Sequence, residues 1–100
     1  MVTGTHVPPG VDGLIKEMVA FPQVHRVWLF GSRARGDHRP RSDVDLAVEA
    51  PDADRRTWLA LCELAEEADT LLTIDLVRVE EASPELAGRI RREGVMLYER

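Results

Sequence analysis

Residues 31–45 constrain the fold most, because two polar motifs there lie beside runs of strand-forming residues. Residues 24–30 are rich in β-branched and aromatic side chains and predict a strand that ends at Gly31. Ser32 then opens a polar segment that Gly36 closes, which predicts a short helix. A strand that passes through Gly-Ser into a helix leaves backbone N–H groups free to bind an anion such as a triphosphate.

The second motif is an alternation of acidic and aliphatic residues at positions 42–49. On a strand, this alternation buries the aliphatic side chains and places Asp43 and Asp45 together on the other face, roughly 7 Å apart. Two carboxylates at that separation repel each other unless a cation lies between them. Mg²⁺ fits the requirement, because it binds one or two carboxylates together with substrate phosphates.

A third carboxylate lies in the apolar run of residues 71–79. Its alternation places Asp75 and Thr73 on the face opposite Leu72, Ile74 and Leu76. If this run pairs beside the strand of Asp43 and Asp45, Asp75 lies about one strand spacing, ~4.8 Å, from that strand on the same face. Three such acids predict a site for two metal ions, with Asp75 as a ligand, as the group that accepts the attacking proton, or as both.

The coarse pattern predicts an α/β (α+β) domain with a small mixed sheet of three to four strands. Amphipathic helices are predicted from residue 11, after Asp54 and after Ser83, where Ser-Pro forms a helix start. We expect a flexible tail at residues 1–10 and one domain at residues 11–100, with the helices packed on one face of the sheet and the acids on the open face.

Charge is unevenly distributed along this acidic chain, whose net charge is −5. The segment of residues 33–41 carries four arginines and one aspartate, which gives it a net charge of +3. Beside a phosphate-binding turn, Arg33 and Arg35 are candidates for bidentate phosphate contacts. Arg39 and Arg41 suit either phosphate or an acidic partner. The negative charge of the whole chain disfavours stable binding of nucleic acid.

The remaining sequence signals concern the cellular compartment. The single cysteine, Cys62, excludes an internal disulfide and suits a reducing cytosol. Residues 1–6 lack the basic start of a secretory signal, and no apolar run approaches the ~20 residues that span a bilayer. These features predict a cytoplasmic protein without membrane contact.

Together the two motifs resemble those of the DNA polymerase beta-type nucleotidyltransferase superfamily. Within it, residues 31–36 and 42–46 are most similar to the minimal nucleotidyltransferase (MNT) antitoxin group. The resemblance implies phosphate binding at Gly31 and Ser32, metal binding at Asp43 and Asp45, and a third carboxylate at Asp75. It also implies Mg²⁺-dependent transfer of AMP from ATP to a tyrosine of a HEPN-domain toxin ribonuclease, in a type VII-like toxin–antitoxin pair.

Other functions remain compatible with the same residues. The protein could neutralise a toxin by binding alone, or it could transfer a nucleotide to a small hydroxylated molecule. The small-molecule reading is disfavoured because the sequence shows no second domain that would hold such an acceptor. Asp-x-Asp also occurs in calcium loops, but Val48 occupies the position where an EF-hand loop needs glycine. Base preference has no local signature.

Overall fold

The computed structural model describes residues 7–100 as four helices, one 3₁₀ turn and a four-stranded sheet. Of the predicted tail at residues 1–10, residues 1–6 lie outside this description, and Val7 packs against the core. The elements in chain order are α1 (Val11–Val19), β1 (Arg26–Phe30), α2 (Ser32–Arg35), β2 (Val44–Glu49), α3 (Arg55–Glu66), β3 (Ile74–Arg78), the 3₁₀ turn Val79–Glu81, α4 (Pro84–Glu93) and β4 (Val95–Glu99).

Local sequence accounts for the ends of the long helices. The Asp54 side chain accepts a hydrogen bond of 2.8 Å from the Thr57 N–H and begins α3. Ser83 does the same for α4, accepting from the Leu86 N–H at 3.1 Å. Pro84 fits the first position of that helix, because the N–H that proline lacks would have no helical acceptor there.

The sheet is mixed and has the strand order β3-β2-β1-β4. Strand β1 pairs antiparallel with β2 and with β4, whereas β2 pairs parallel with β3. Parallel neighbours need a crossover connection, and α3 lies in this one. The parallel pairing aligns Asp45 with Asp75, and the antiparallel pairing aligns Asp45 with Phe30. The mixed sheet predicted from the sequence is therefore confirmed, and β2 is its acid-bearing inner strand.

The main core lies on one face of the sheet, where α1 and α3 pack. Alternate residues of β2 are fully buried there, and Met18 of α1 and Leu61 of α3 belong to the same cluster. The three buried side chains of β2 are Val44, Leu46 and Val48, as their alternation predicted.

The expectation that helices occupy only one face needs correction. Helix α4 packs on the opposite face, where Ile90 clusters with Trp28 and Ala47. The physical reason is that α4 carries its own apolar stripe, and the centre of β1 and β2 offers a second apolar surface to cover it. The two ends of that face stay polar: Asp45 and Asp75 lie at one end, and Glu49 pairs with Arg26 and Arg91 at the other. Among the helices of residues 7–100, none has the length and apolar character needed to cross a membrane.

Candidate active site

The Gly-Ser turn directly follows β1, and its backbone lies against the central acid. Gly31 has φ 74° and ψ −154°, a conformation that is essentially restricted to glycine. A Cβ atom built at Gly31 would collide with Oδ2 of Asp45 and lie 3.1 Å from its Cγ. Glycine is therefore required twice, for its backbone conformation and for the close approach of the Asp45 carboxylate. The two sequence motifs meet at this contact.

Helix α2 is one turn long and is closed as the sequence predicted. Its end is formed by Gly36, in the left-handed conformation with φ 85°, whose N–H donates to the Ser32 carbonyl at 2.9 Å. The N–H groups of Ala34 and Arg35 both donate to the Gly31 carbonyl at 3.1 Å. The N–H groups of Ser32 and Arg33 belong to the first helical turn, where no helical acceptor exists.

Three carboxylates lie close together beside this turn. Asp45 is half-buried on β2, whereas Asp75 on β3 and Asp43 just before β2 are exposed. Partial burial raises the pKa of Asp45 above its ordinary value, and the negative charges of Asp75 and Asp43 raise it further. A hydrogen bond between the Asp45 and Asp75 side chains acts in the same direction, and Arg35 partly opposes the shift. The acids are thus electrostatically coupled at neutral pH.

The acids do not form a closed metal cage by themselves. Within residues 7–100, no group of three or more histidine, cysteine, aspartate or glutamate side chains is arranged to hold a metal ion. The raised pKa of Asp45 beside two other carboxylates is nevertheless an electrostatic condition that a divalent cation relieves. The donor set fits Mg²⁺, which usually takes only one or two protein carboxylates and completes its shell with water and phosphate oxygens.

The two candidate phosphate-binding arginines have different partners. The Arg33 guanidinium donates to the Ser42 carbonyl through Nε at 3.2 Å and through Nη2 at 3.0 Å, and Nη2 also reaches the Pro40 carbonyl at 3.2 Å. Arg33 therefore fastens the segment that immediately precedes Asp43. Arg35 is exposed, pairs with Asp37 at 3.3 Å, and exerts its charge on Asp45.

The loop before β2 has a second set of restraints that sequence reasoning missed. The Ser42 hydroxyl accepts a 2.8 Å hydrogen bond from the Arg39 N–H, and the Ser42 N–H donates to the Arg39 carbonyl at 3.0 Å. At the start of β2, the Val44 N–H donates to the Thr73 carbonyl at 2.9 Å. Asp43 therefore lies between two fixed residues. A serine directly before Asp-x-Asp was the available signal, since serine commonly closes turns through its hydroxyl.

Comparison with known proteins agrees with this geometry. The sequence model of the family described as polymerase beta, nucleotidyltransferase, matches residues 13–100. The chain belongs to this family.

One curated relative of this nucleotidyltransferase is the protein adenylyltransferase MntA of Shewanella oneidensis. The two are 34% identical over 79 residues, which cover 77% of this chain and 55% of the relative. The chain thus spans about half the length of the curated relative that it matches.

Two solved structures show the same fold. One is a toxin-antitoxin crystallised with AMP-PNP, which is 28% identical with a TM-score of 0.69 over 88% of this chain and 73% of the other. The second is a tri-AMPylated Shewanella oneidensis HEPN toxin in complex with an MNT antitoxin, with 26% identity and a TM-score of 0.61 over 90% of this chain and 67% of the other.

Proposed function

We propose that this chain is a Mg²⁺-dependent nucleotidyltransferase that transfers AMP from ATP to a tyrosine hydroxyl of a cognate HEPN-domain toxin, and so acts as its antitoxin. The proposal is supported by the similarity to a protein adenylyltransferase and to antitoxins in toxin complexes. Nucleotide as the substrate is supported by the AMP-PNP in one of those related structures.

The observation that carries the proposal is the contact between the two motifs. Gly31 leaves room for the Asp45 carboxylate, and Asp45 is the strand partner of Asp75. An anion-binding turn and a cluster of coupled acids are thus joined within one small surface. A bound metal–triphosphate can contact both halves, because its phosphates suit the turn and its cation suits the acids.

The roles of the residues follow from this arrangement. Asp43 and Asp45, with Asp75, would hold Mg²⁺, which when bound neutralises phosphate charge and orients the reacting oxygens. Ser32 and the turn amides bind the β- and γ-phosphates. We assign the arginine contact with phosphate to Arg35, because the Arg33 guanidinium already holds the Ser42 and Pro40 carbonyls.

The transfer step is a displacement at the α-phosphorus of ATP. The acceptor oxygen forms a bond to that phosphorus while the bond to the bridging oxygen breaks, and pyrophosphate leaves with the electron pair. We assign the acceptance of the hydroxyl proton to Asp75, which is exposed on β3, the edge strand next to the strand of Asp45. The products are an adenylylated tyrosine and pyrophosphate.

Labelled ATP tests this function. We expect α-³²P-ATP with Mg²⁺ to label the cognate toxin in the presence of the wild-type chain, and the double variant Asp43→Asn/Asp45→Asn to transfer no label. Asp52→Asn is the matched control, because Asp52 is exposed beyond the opposite end of β2. Absence of label with the wild-type chain would exclude this acceptor, and toxin neutralisation by the double variant would identify an antitoxin that acts by binding.

A further inference from the structure

A groove lies at the start of the edge strand β3, close in sequence to Asp43 and Asp75. It has a volume of about 400 Å³ and is lined by Arg41, Leu71, Leu72 and Thr73. Thr73 and Leu71 precede Asp75 by two and four residues, and Arg41 precedes Asp43 by two. The groove therefore lies two residues along the chain from Asp43 and from Asp75, and neither acid lines it.

The strand order sets where the groove lies relative to the Gly-Ser turn and the acids. Gly31 and Ser32 follow β1, Asp45 lies on β2, and Asp75 lies on β3, so the phosphate turn and the groove flank the central acid on opposite sides. In phosphoryl and nucleotidyl transfer, the attacking and leaving oxygens lie roughly in line across the phosphorus. If pyrophosphate leaves over the turn, an in-line acceptor hydroxyl approaches from the β3 side of the sheet, and the groove lies at the start of that strand.

The lining of the groove suits an aromatic acceptor. The Leu71 side chain is fully exposed at the border of the groove and offers an apolar contact surface to a ligand there. The Arg41 guanidinium makes no hydrogen bond or ion pair with any residue in the described part of the chain, 7–100. An apolar wall with a free guanidinium can hold the flat face of a phenol ring by hydrophobic and cation–π contacts.

A second groove continues from the first. It has a volume of about 540 Å³, shares Leu71 and Leu72 with the first, and continues past Pro8, Pro9 and Pro40. The two together extend well beyond one side chain. This length suits a stretch of polypeptide whose modified residue enters the first groove while its flanking residues follow the second.

We propose that the groove of Arg41, Leu71 and Thr73 is the acceptor site of this enzyme, where the tyrosine-bearing segment of the toxin binds beside Asp75. This assignment rests on the proposed function, which it deepens by locating the acceptor on this chain. Leu71 and Arg41 determine acceptor affinity, and they do not contact ATP. Thr73 lies closest in sequence to Asp75 and borders the position of the hydroxyl.

The test separates acceptor affinity from nucleotide affinity. Leu71→Asp is expected to raise the KM for the toxin at least about tenfold, because it replaces an exposed apolar anchor with a charge. The Kd for ATP with Mg²⁺ and the Kd for inorganic triphosphate should stay unchanged. Leu59→Asp is the matched control, since Leu59 is an exposed leucine on α3 outside either groove, and it should change none of these constants. Arg41→Ala should likewise raise the KM for the toxin and leave both Kd values unchanged.

Two results would overturn the assignment. A loss of ATP affinity in Leu71→Asp or Arg41→Ala with an unchanged KM for the toxin would place the nucleoside in the groove, and unchanged constants throughout would leave the groove without a role. Direct binding of the toxin, measured without ATP, keeps the inference separate from catalysis. If the wild-type chain transfers no label, the proposed activity fails, yet the acceptor site still requires toxin binding to weaken in Leu71→Asp and not in Leu59→Asp.

Discussion

At the scale of single residues, the site depends on a carboxylate that is costly to ionise. The native pKa of Asp45 lies above its ordinary value because of partial burial and the charges of Asp75 and Asp43. The folded state therefore binds a proton at Asp45 more readily than the unfolded chain does, and the charged form reduces stability at neutral pH. In the proposed mechanism, the same charge binds the cation.

Replacement of Asp45 should show how much its charge lowers the stability of the folded state. We expect Asp45→Asn to raise the Tm at pH 7 by about 2–4 °C while abolishing transfer of label. The gain in Tm should be full at pH values above the raised native pKa of Asp45. It should vanish at pH values below the ordinary pKa of an aspartate, since wild-type Asp45 is then protonated in both the folded and the unfolded state. Thermal unfolding monitored by circular dichroism across this range measures it. Asp52→Asn should leave the Tm nearly unchanged, and a lower Tm for Asp45→Asn at pH 7 would contradict the argument.

Gly31 and Gly36 both have positive φ, but only Gly31 lies against Asp45, so the two positions can be compared by the same substitution. We expect Gly31→Ala to cost about 2–3 kcal/mol of unfolding free energy and to abolish activity, because its Cβ would both strain the backbone and displace the Asp45 carboxylate. Gly36→Ala should cost only about 1 kcal/mol, since no other atom lies within 4 Å of its Cβ position. Urea unfolding and labelled transfer compare the two. Equal losses of activity would show that backbone strain alone, and not the carboxylate contact, requires Gly31.

At the scale of elements, sequence patterns predicted what depends on local chemistry. Alternation placed Asp45 and Asp75 on the polar face, and the structure aligns them as strand partners. The predicted strand ends were less accurate. The apolar run beginning at Leu71 predicted a strand from that residue, whereas β3 begins at Ile74. Periodicity marks which side chains can be buried, but it does not show where hydrogen-bonded pairing starts.

Contacts between residues that are far apart in sequence could not be predicted from local patterns. The packing of α4 on the second face depends on which apolar surface of the sheet remains uncovered, and that is decided by the whole topology. The bonds from Arg33 to the Ser42 and Pro40 carbonyls depend on how the loop after α2 returns. From sequence alone, Arg33 and Arg35 looked equivalent as phosphate ligands. The functions of the seven predicted site residues stay predictions.

The loop between α2 and β2 gives a prediction at this scale. We expect Arg33→Ala to lower kcat about a hundredfold with a nearly unchanged KM for ATP, because the segment that carries Asp43 loses its anchor and small displacements of reacting groups are costly. Arg33→Lys should recover part of the loss, since one donor can still reach the Ser42 carbonyl. Arg39→Ala is the control, because the Arg39 side chain makes no bond with residues 7–100.

Steady-state kinetics with labelled ATP resolve the two roles that Arg33 could have. A raised KM for ATP with normal kcat would return Arg33 to the phosphate-binding role that the sequence suggested. A fall in kcat alone supports the positioning role, and the same fall in Arg39→Ala would show a general effect of positive charge on the loop.

At the scale of the whole molecule, the proposed Mg²⁺ site depends on bound nucleotide. The described residues present coupled acids but no closed ligand set for a metal ion. The remaining oxygens must come from phosphate and water, so cation and nucleotide should bind cooperatively. The small size of the domain makes this coupling easy to measure, because any ligand specific for the folded state shifts its unfolding.

Thermal stability with each ligand tests this cooperativity. We expect Mg²⁺ alone to change the Tm by about 1 °C or less, and Mg²⁺ with a non-hydrolysable ATP analogue at 100 times its Kd to add about 2.7 kcal/mol, which is a shift of roughly 10–20 °C for a domain of this size. The double variant Asp43→Asn/Asp45→Asn should lose this shift. A large shift from Mg²⁺ alone would mean that the acids form a complete site without nucleotide, and an equal shift from the analogue with EDTA would mean that the turn binds triphosphate without the cation.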